Sequence, residues 1–146
     1  MGEMKTVCWL LPVGKSDETS GFVVVRELAQ KLGVFGLSAR AQGRKSLKQG
    51  DLVAFYVAGE GICAHGRVTE APARKNRDHP LLRGYPYVFS LGDVEMYSES
   101  PVRLDVDLRK SLDAFDGKDP ETRWAWFVQG LHRLTGADFR RITRVM

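Results

Sequence analysis

The sequence holds little of what builds metal centres or covalent cross-links. Its 146 residues include two cysteines and three histidines. Cys8 and Cys63 are far apart in the chain, and His65, His79 and His132 have no ligand-like spacing with each other or with either cysteine. Neither a metal nor a cofactor is therefore expected. Both cysteines lie in strand-like apolar runs, which favours buried free thiols over a disulfide. No apolar run approaches the roughly 18 residues of a membrane-spanning helix, and no secretory leader is legible. The expectation is a cytoplasmic protein with no membrane partner. The start formally fits a myristoylation pattern, but residues 1–5 read better as a disordered lead-in to the first strand. Gly14-Lys15-Ser16 lacks the first glycine of a phosphate-binding P-loop, and no helix begins there. There is no internal repeat and no low-complexity stretch, so one domain over 1–146 is expected.

What is present is segregated charge. The net charge is only +4, but the cations cluster. Arg40, Arg44, Lys45 and Lys48 form one group; Arg74, Lys75, Arg77 and Arg83 a second; Arg133, Arg140, Arg141 and Arg144 a third. Acids gather instead at Asp93, Glu95, Glu99, Asp105 and Asp107. A molecule with one positive side suits a polyanionic partner.

Thr6–Leu11 is a short apolar run ending at Pro12, and it reads as a buried strand. Apolar residues at 22, 25, 28, 29 and 32 make a helical stripe over Phe22–Leu32, with Ser20 as N-cap and Gly33 as the stop. Leu52–Val57 is apolar on both faces, as a central strand requires. Ala58–Gly61 is a hairpin turn into a strand with Ile62, Ala64, Gly66 and Val68 on one face and Cys63, His65 and Arg67 on the other. Gly66 leaves room for a close backbone or ligand. Ala71–Tyr85 reads as a long polar loop, and Tyr85–Leu91, continued by Val94–Tyr97, as a strand. Alternation over Val102–Arg109 predicts a further strand, with Lys110–Phe115 as one helical turn and Asp116–Pro120 as a turn. Trp124–Val128 should pack on the barrel. Thr135 and Asp138 make a capping box that opens a last helix, Gly136–Arg144. Five or six strands in antiparallel hairpins, with flanking helices, give an α+β domain around a small β-barrel.

The stretch Phe35-Gly36-Leu37-Ser38 concentrates the chemistry. An aromatic sits on an expected glycine turn, ahead of the basic run Ala39–Asp51. A flipped base loses stacking of about a few kcal/mol, and an aromatic face returns about 1–3 kcal/mol per base. Phe35 is the expected stacking ring and Leu82 can close the opposite side. Backbone at Gly36–Ser38 can read a base edge, because glycine permits close approach, and the Ser38 hydroxyl can donate or accept. Arg40, Arg44, Lys45 and Lys48, with Arg74, Lys75 and Arg77 across from them, would contact phosphates without choosing sequence.

Several blocks, in order along nearly the whole chain, resemble the EVE domain of the PUA-like superfamily, related to YTH domains. They are Cys8–Leu11, Val34–Ser38, Leu47–Val57, Gly84–Val88, Arg123–Phe127 and Arg133–Phe139. The last two resemble the end of small free-standing prokaryotic EVE proteins. The resemblance implies a barrel whose concave pocket takes a single, often modified, nucleobase swung out of RNA or DNA. It implies cage walls at Phe35, where relatives usually have tryptophan, and at Leu82–Tyr85. The expected function is non-catalytic nucleic-acid binding. The alternative is a small nucleoside-processing or hydrolytic enzyme on a related barrel, with Cys63 and His65 side by side as thiol and base.

Overall fold

Six strands and three short helices form the described part of the chain. The structure is a computed structural model, and it describes residues 6–13, 19–38, 45–75, 78–97 and 100–144. The strands are β1 (Cys8–Val13), β2 (Val34–Leu37), β3 (Leu52–Val57), β4 (Gly61–Arg74), β5 (Tyr87–Met96) and β6 (His132–Leu134). They make one mixed sheet in the order β2-β5-β4-β3-β1-β6. The α+β architecture is the expected one, but the sheet is open, with β2 and β6 as its edges. Nor are all pairings antiparallel: β1 runs parallel to β3, Trp9 opposite Val53 and Leu11 opposite Phe55. Parallel neighbours need a crossover rather than a hairpin, and the helical segment after β1, together with β2, fills it.

The apolar character of β1 and β3 on both faces follows from their central position. Trp9, Leu11, Val53 and Phe55 enter one core, with Leu28, Phe35, Leu82 and Phe89. Cys8, Leu10, Ala54 and Tyr56 enter the other, with Phe115, Phe127, Phe139 and Ile142. The helical stripe after Ser20 covers the first core. It is α1 (Gly21–Val25), continued as a π-helical turn over Arg26–Gln30. Ser20 caps it by accepting from the Val23 N–H, and Gly33 ends it at φ +67°.

Three expectations fail for local reasons. Phe35–Ser38 is not a turn: Val34–Leu37 is strand β2, paired with Tyr87–Ser90. The left-handed glycine lies earlier, at Gly33. The polar loop is shorter than expected, because β4 runs on to Arg74. Pro72 is tolerated there because β3 accompanies β4 only from Gly61 to Arg67, leaving the later residues paired on the β5 side alone. Val102–Arg109 is not a strand. Only Val102 makes a bridge, to Ile62, and α2 (Val106–Ser111) follows. Asp105, inside the run whose alternation predicts a strand, is its N-cap, receiving the Leu108 N–H at 2.9 Å. Arg109 is buried: its guanidinium donates to the Pro120 carbonyl at 2.6 Å and lies 4.2 Å from the Trp124 ring centroid.

Thr135 caps α3 (Gly136–Ile142) by receiving the Asp138 N–H at 3.0 Å. The fully buried Asp138 carboxylate is bound elsewhere. It accepts the Asp113 and Ala114 N–H groups at 2.7 and 2.9 Å and pairs with Arg141 at 3.1 Å. The expected disorder of residues 1–5 lies outside the described residues.

Candidate functional site

A cleft of about 440 Å³ opens beside β2, lined by Phe35, Gly36, Leu37 and Ser38, by Tyr85, by Leu11 and Pro12 of β1, and by Gln129, Gly130 and Leu131. Its size falls within the roughly 300–1,000 Å³ of small-molecule clefts. Tyr85 is the only ionisable side chain among the described lining residues, so the cleft suits an uncharged guest better than a phosphate.

Five of the six residues expected to form a base pocket meet here: Phe35, Gly36, Leu37, Ser38 and Tyr85. Their surroundings differ from the expected ones. Phe35 is only 2% exposed and its ring packs 5.1 Å from Phe55 and 6.4 Å from Phe89, centroid to centroid. It is the floor of the cleft rather than a free stacking face. Tyr85, half-buried, is the aromatic with area to offer. A β-carbon at position 36 would lie 2.6 Å from Tyr85 Cβ, so the missing side chain of Gly36 is what lets this ring settle against β2.

The register of β2 turns a pair of backbone groups away from the sheet. The Leu91 N–H donates to the Gly33 carbonyl at 2.7 Å. Hydrogen-bonded pairs alternate in an antiparallel ladder, so Phe35/Phe89 and Leu37/Tyr87 are the bonded pairs and Gly36/Val88 is not. Gly36 therefore turns both its N–H and its C=O away from β5. One donor and one acceptor on a residue without a side chain can read the edge of a heterocycle.

Leu82 does not line the cleft. It is fully buried in the first core, where an apolar side chain in a 3-10 turn (Pro80–Leu82) anchors the loop beneath Tyr85. Its carbonyl receives the Tyr85 N–H at 3.1 Å and the Lys75 ammonium at 3.0 Å. Lys75 thus holds the loop that carries Tyr85. Arg74 is exposed, 5.3 Å from the Tyr87 ring centroid, and Lys45 and Lys48 are exposed. Arg40, Arg44 and Arg77 lie outside the described residues. In the third cationic group, Arg141 pairs with Asp113 and Asp138 and Arg144 binds Ser100.

Asp51 gives the Gly50-Asp51 step a structural meaning. Its Oδ2 accepts the Trp9 indole N–H and the Lys48 backbone N–H, both at 2.9 Å. That fixes the turn bearing Lys48 against the start of β3. Sequence reasoning missed Gln129–Leu131, which carry no motif; their only signal is Gly130, whose φ of +67° marks a sharp turn after the tryptophan-rich segment.

Cys63 and His65 do not meet as thiol and base. A register shift between Phe55 and Tyr56 leaves Cys63 as the extra residue of a β-bulge. Cys63 joins the first core, whereas His65 contacts Tyr97 and Phe139, which belong to the second. Burial pushes the Cys63 thiol up to about 12, with Glu60 adding to it. Burial lowers His65 against the opposing pull of Glu95. Its Nδ1 is hydrogen-bonded to the Tyr97 hydroxyl. No group of three or more potential metal ligands occurs among the described residues, and no described helix is long and apolar enough to cross a membrane.

No family model matches the sequence, and none of the curated proteins matches it. Solved structures do. The YTH domain of a Zygosaccharomyces rouxii protein, in complex with N6-methyladenosine RNA, is similar at a TM-score of 0.57 and 13% identity, over 94% of this chain and 84% of that one. A protein from Pseudomonas syringae is similar at 0.56 and 18% identity, over 92% and 96%. One from Pseudomonas putida is similar at 0.54 and 15%, over 91% and 95%. At these identities the likeness is one of architecture: an open six-stranded sheet with its helices, in the arrangement of a YTH-type fold.

Proposed function

We propose that the protein is a non-catalytic nucleic-acid-binding module of the EVE type, which takes one modified base into the cleft beside β2. The observation that carries this is the pairing of a neutral cleft with a half-buried ring and two backbone groups turned away from β5. Tyr85 stacks on the guest, Gly36 reads its edge, and Leu11, Pro12, Leu37 and Leu131 give an added methyl group an apolar surround. The exposed Lys45, Lys48 and Arg74 attract the strand without reading its sequence. The YTH domain with the same architecture is in complex with N6-methyladenosine RNA, which supports an extruded purine as the first ligand to test.

Fluorescence anisotropy with labelled pentaribonucleotides tests it, using central adenosine or N6-methyladenosine, and DNA counterparts. The modified strand should bind more tightly than the plain one. Tyr85→Ala should weaken it roughly 5- to 150-fold, the range for one lost base stack. Affinity should fall as salt rises. Equal affinity for modified and plain strands across several modifications, or an unaffected Tyr85→Ala variant, would defeat the reading.

A further inference from the structure

A second cleft, of about 450 Å³, shares no lining residue with the first. Its lining includes Trp126, His132, Lys118 and Arg133, and the carboxylates of Asp113 and Asp138. Its two carboxylates are engaged. Asp138 is held by two backbone N–H groups and Arg141, and Asp113 by Arg141 and the Thr135 hydroxyl. Its two exposed cations are not: neither Lys118 nor Arg133 has a carboxylate partner within ion-pair distance among the described residues. Lys118 Nζ instead lies 5.6 Å from the Trp126 ring centroid. A half-buried indole beside Lys118, with Arg133 also on the lining, fits an aromatic ring that carries a negatively charged group.

The two clefts are neighbours along the chain. Leu131 walls the first, on the side of the first core, and His132 the second, on the side of the other, so the edge strand β6 stands between them. Between Trp126 and His132 the chain passes through Gly130, where an added β-carbon would meet nothing within 4 Å. Gly130 is therefore unobstructed, and it lies just before the edge strand β6.

We infer that this second cleft is the subsite for the nucleotide next to the extruded base. The strand passes over Gly130, its neighbouring base lies against Trp126, and the phosphate between them sits on Lys118 and Arg133. The inference rests on the reading of the first cleft as a base pocket, but it can fail alone.

The test compares wild type, Lys118→Ala/Arg133→Ala, Trp126→Phe and Tyr85→Ala. Each is titrated with the N6-methyladenosine nucleoside and with the pentaribonucleotide centred on it, by calorimetry and by tryptophan fluorescence. Both cations are exposed, so their double variant keeps the fold. It should bind the nucleoside like wild type and the pentanucleotide at least about 5-fold more weakly. Its salt slope on a log–log plot should be flatter by about 0.7, the value for one phosphate contact on a single strand. Trp126→Phe should keep most pentanucleotide affinity and lose the fluorescence change. If the double variant binds the pentanucleotide with unchanged affinity and salt slope, the subsite is refuted while the base pocket stands. If Tyr85→Ala changes nothing while the cation variant does, the base pocket is refuted and the second cleft binds the strand without it. A wild type that binds neither probe overturns both.

Discussion

Gly36 and Tyr85 are fitted to each other: a β-carbon on residue 36 would stand 2.6 Å from Tyr85 Cβ and 2.7 Å from its Cγ. These are the stem atoms of the side chain, which cannot swing aside without moving the whole ring. Gly36→Ala is therefore expected to displace Tyr85 from the cleft wall and cost about 1–3 kcal/mol by overpacking. It should also lower affinity for a modified oligonucleotide nearly as much as Tyr85→Ala, although residue 36 keeps its backbone groups. Urea unfolding and anisotropy on the same preparation check both effects. An alanine variant of wild-type stability and affinity would show that the ring adapts.

Asp51 is 7% exposed and serves two donors at once, the Trp9 indole and the Lys48 N–H. Asp51→Ala leaves the indole N–H buried and unpaired, at a cost of about 1–3 kcal/mol, and frees the turn that presents Lys48. Asp51→Asn keeps an acceptor oxygen and should lose less. The midpoint of urea unfolding should order the proteins wild type, then asparagine, then alanine. Equal losses for both variants would point to charge rather than hydrogen bonding.

Much of this architecture was legible where a local rule needs no partner. Ser20 and Thr135 announce helix starts because a hydroxyl beside the first turn takes an orphan N–H. The apolar faces of Leu52–Val57 announce a strand covered on both sides. What could not be read depends on contacts far apart in the chain. Asp105 looks the same in an alternating strand as in a cap until Leu108 is seen above it. The bulge at Cys63 shifts His65 to the other core, and no residue type marks it. Phe35 was the evident ring in the sequence. It is buried because Phe55 and Phe89 converge on it, and that leaves Tyr85 at the cleft. Gln129–Leu131 reach the cleft only because β6 returns beside β1.

Cys63 is 1% exposed, and burial, reinforced by Glu60, pushes its thiol up to about 12. Cys8 is 2% exposed and raised by burial first and Asp51 second. Since the thiolate is the reactive form, neither should be alkylated by iodoacetamide in the native protein at about pH 8. Both should react once urea unfolds the chain. Mass spectrometry of the two samples decides. Rapid native labelling of Cys63 would show a thiol far more available than its place in the core allows.

Two histidines should make the fold weaken in mild acid. Burial lowers both His65 and His132 below their ordinary value of 6.5, against the pull of Glu95 on the first and of Asp138 on the second. The unfolded chain keeps the ordinary value, so below about pH 6.5 it takes up protons that the folded state refuses. Their contribution is complete above that pH, declines as the pH falls through it, and levels off once the folded values are passed. His65 faces the Tyr97 hydroxyl, Glu95 and the Phe139 ring; His132 faces the Trp126 and Phe127 rings. No carboxylate lies within ion-pair distance of His132 among the described residues, so it has the weaker compensation on protonation. The urea midpoint should thus drop between about pH 7.5 and pH 5.5, and His132→Gln should flatten that drop more than His65→Gln. A midpoint that rises on acidification, or a slope neither substitution alters, would mean that these imidazoles are charged in the folded protein.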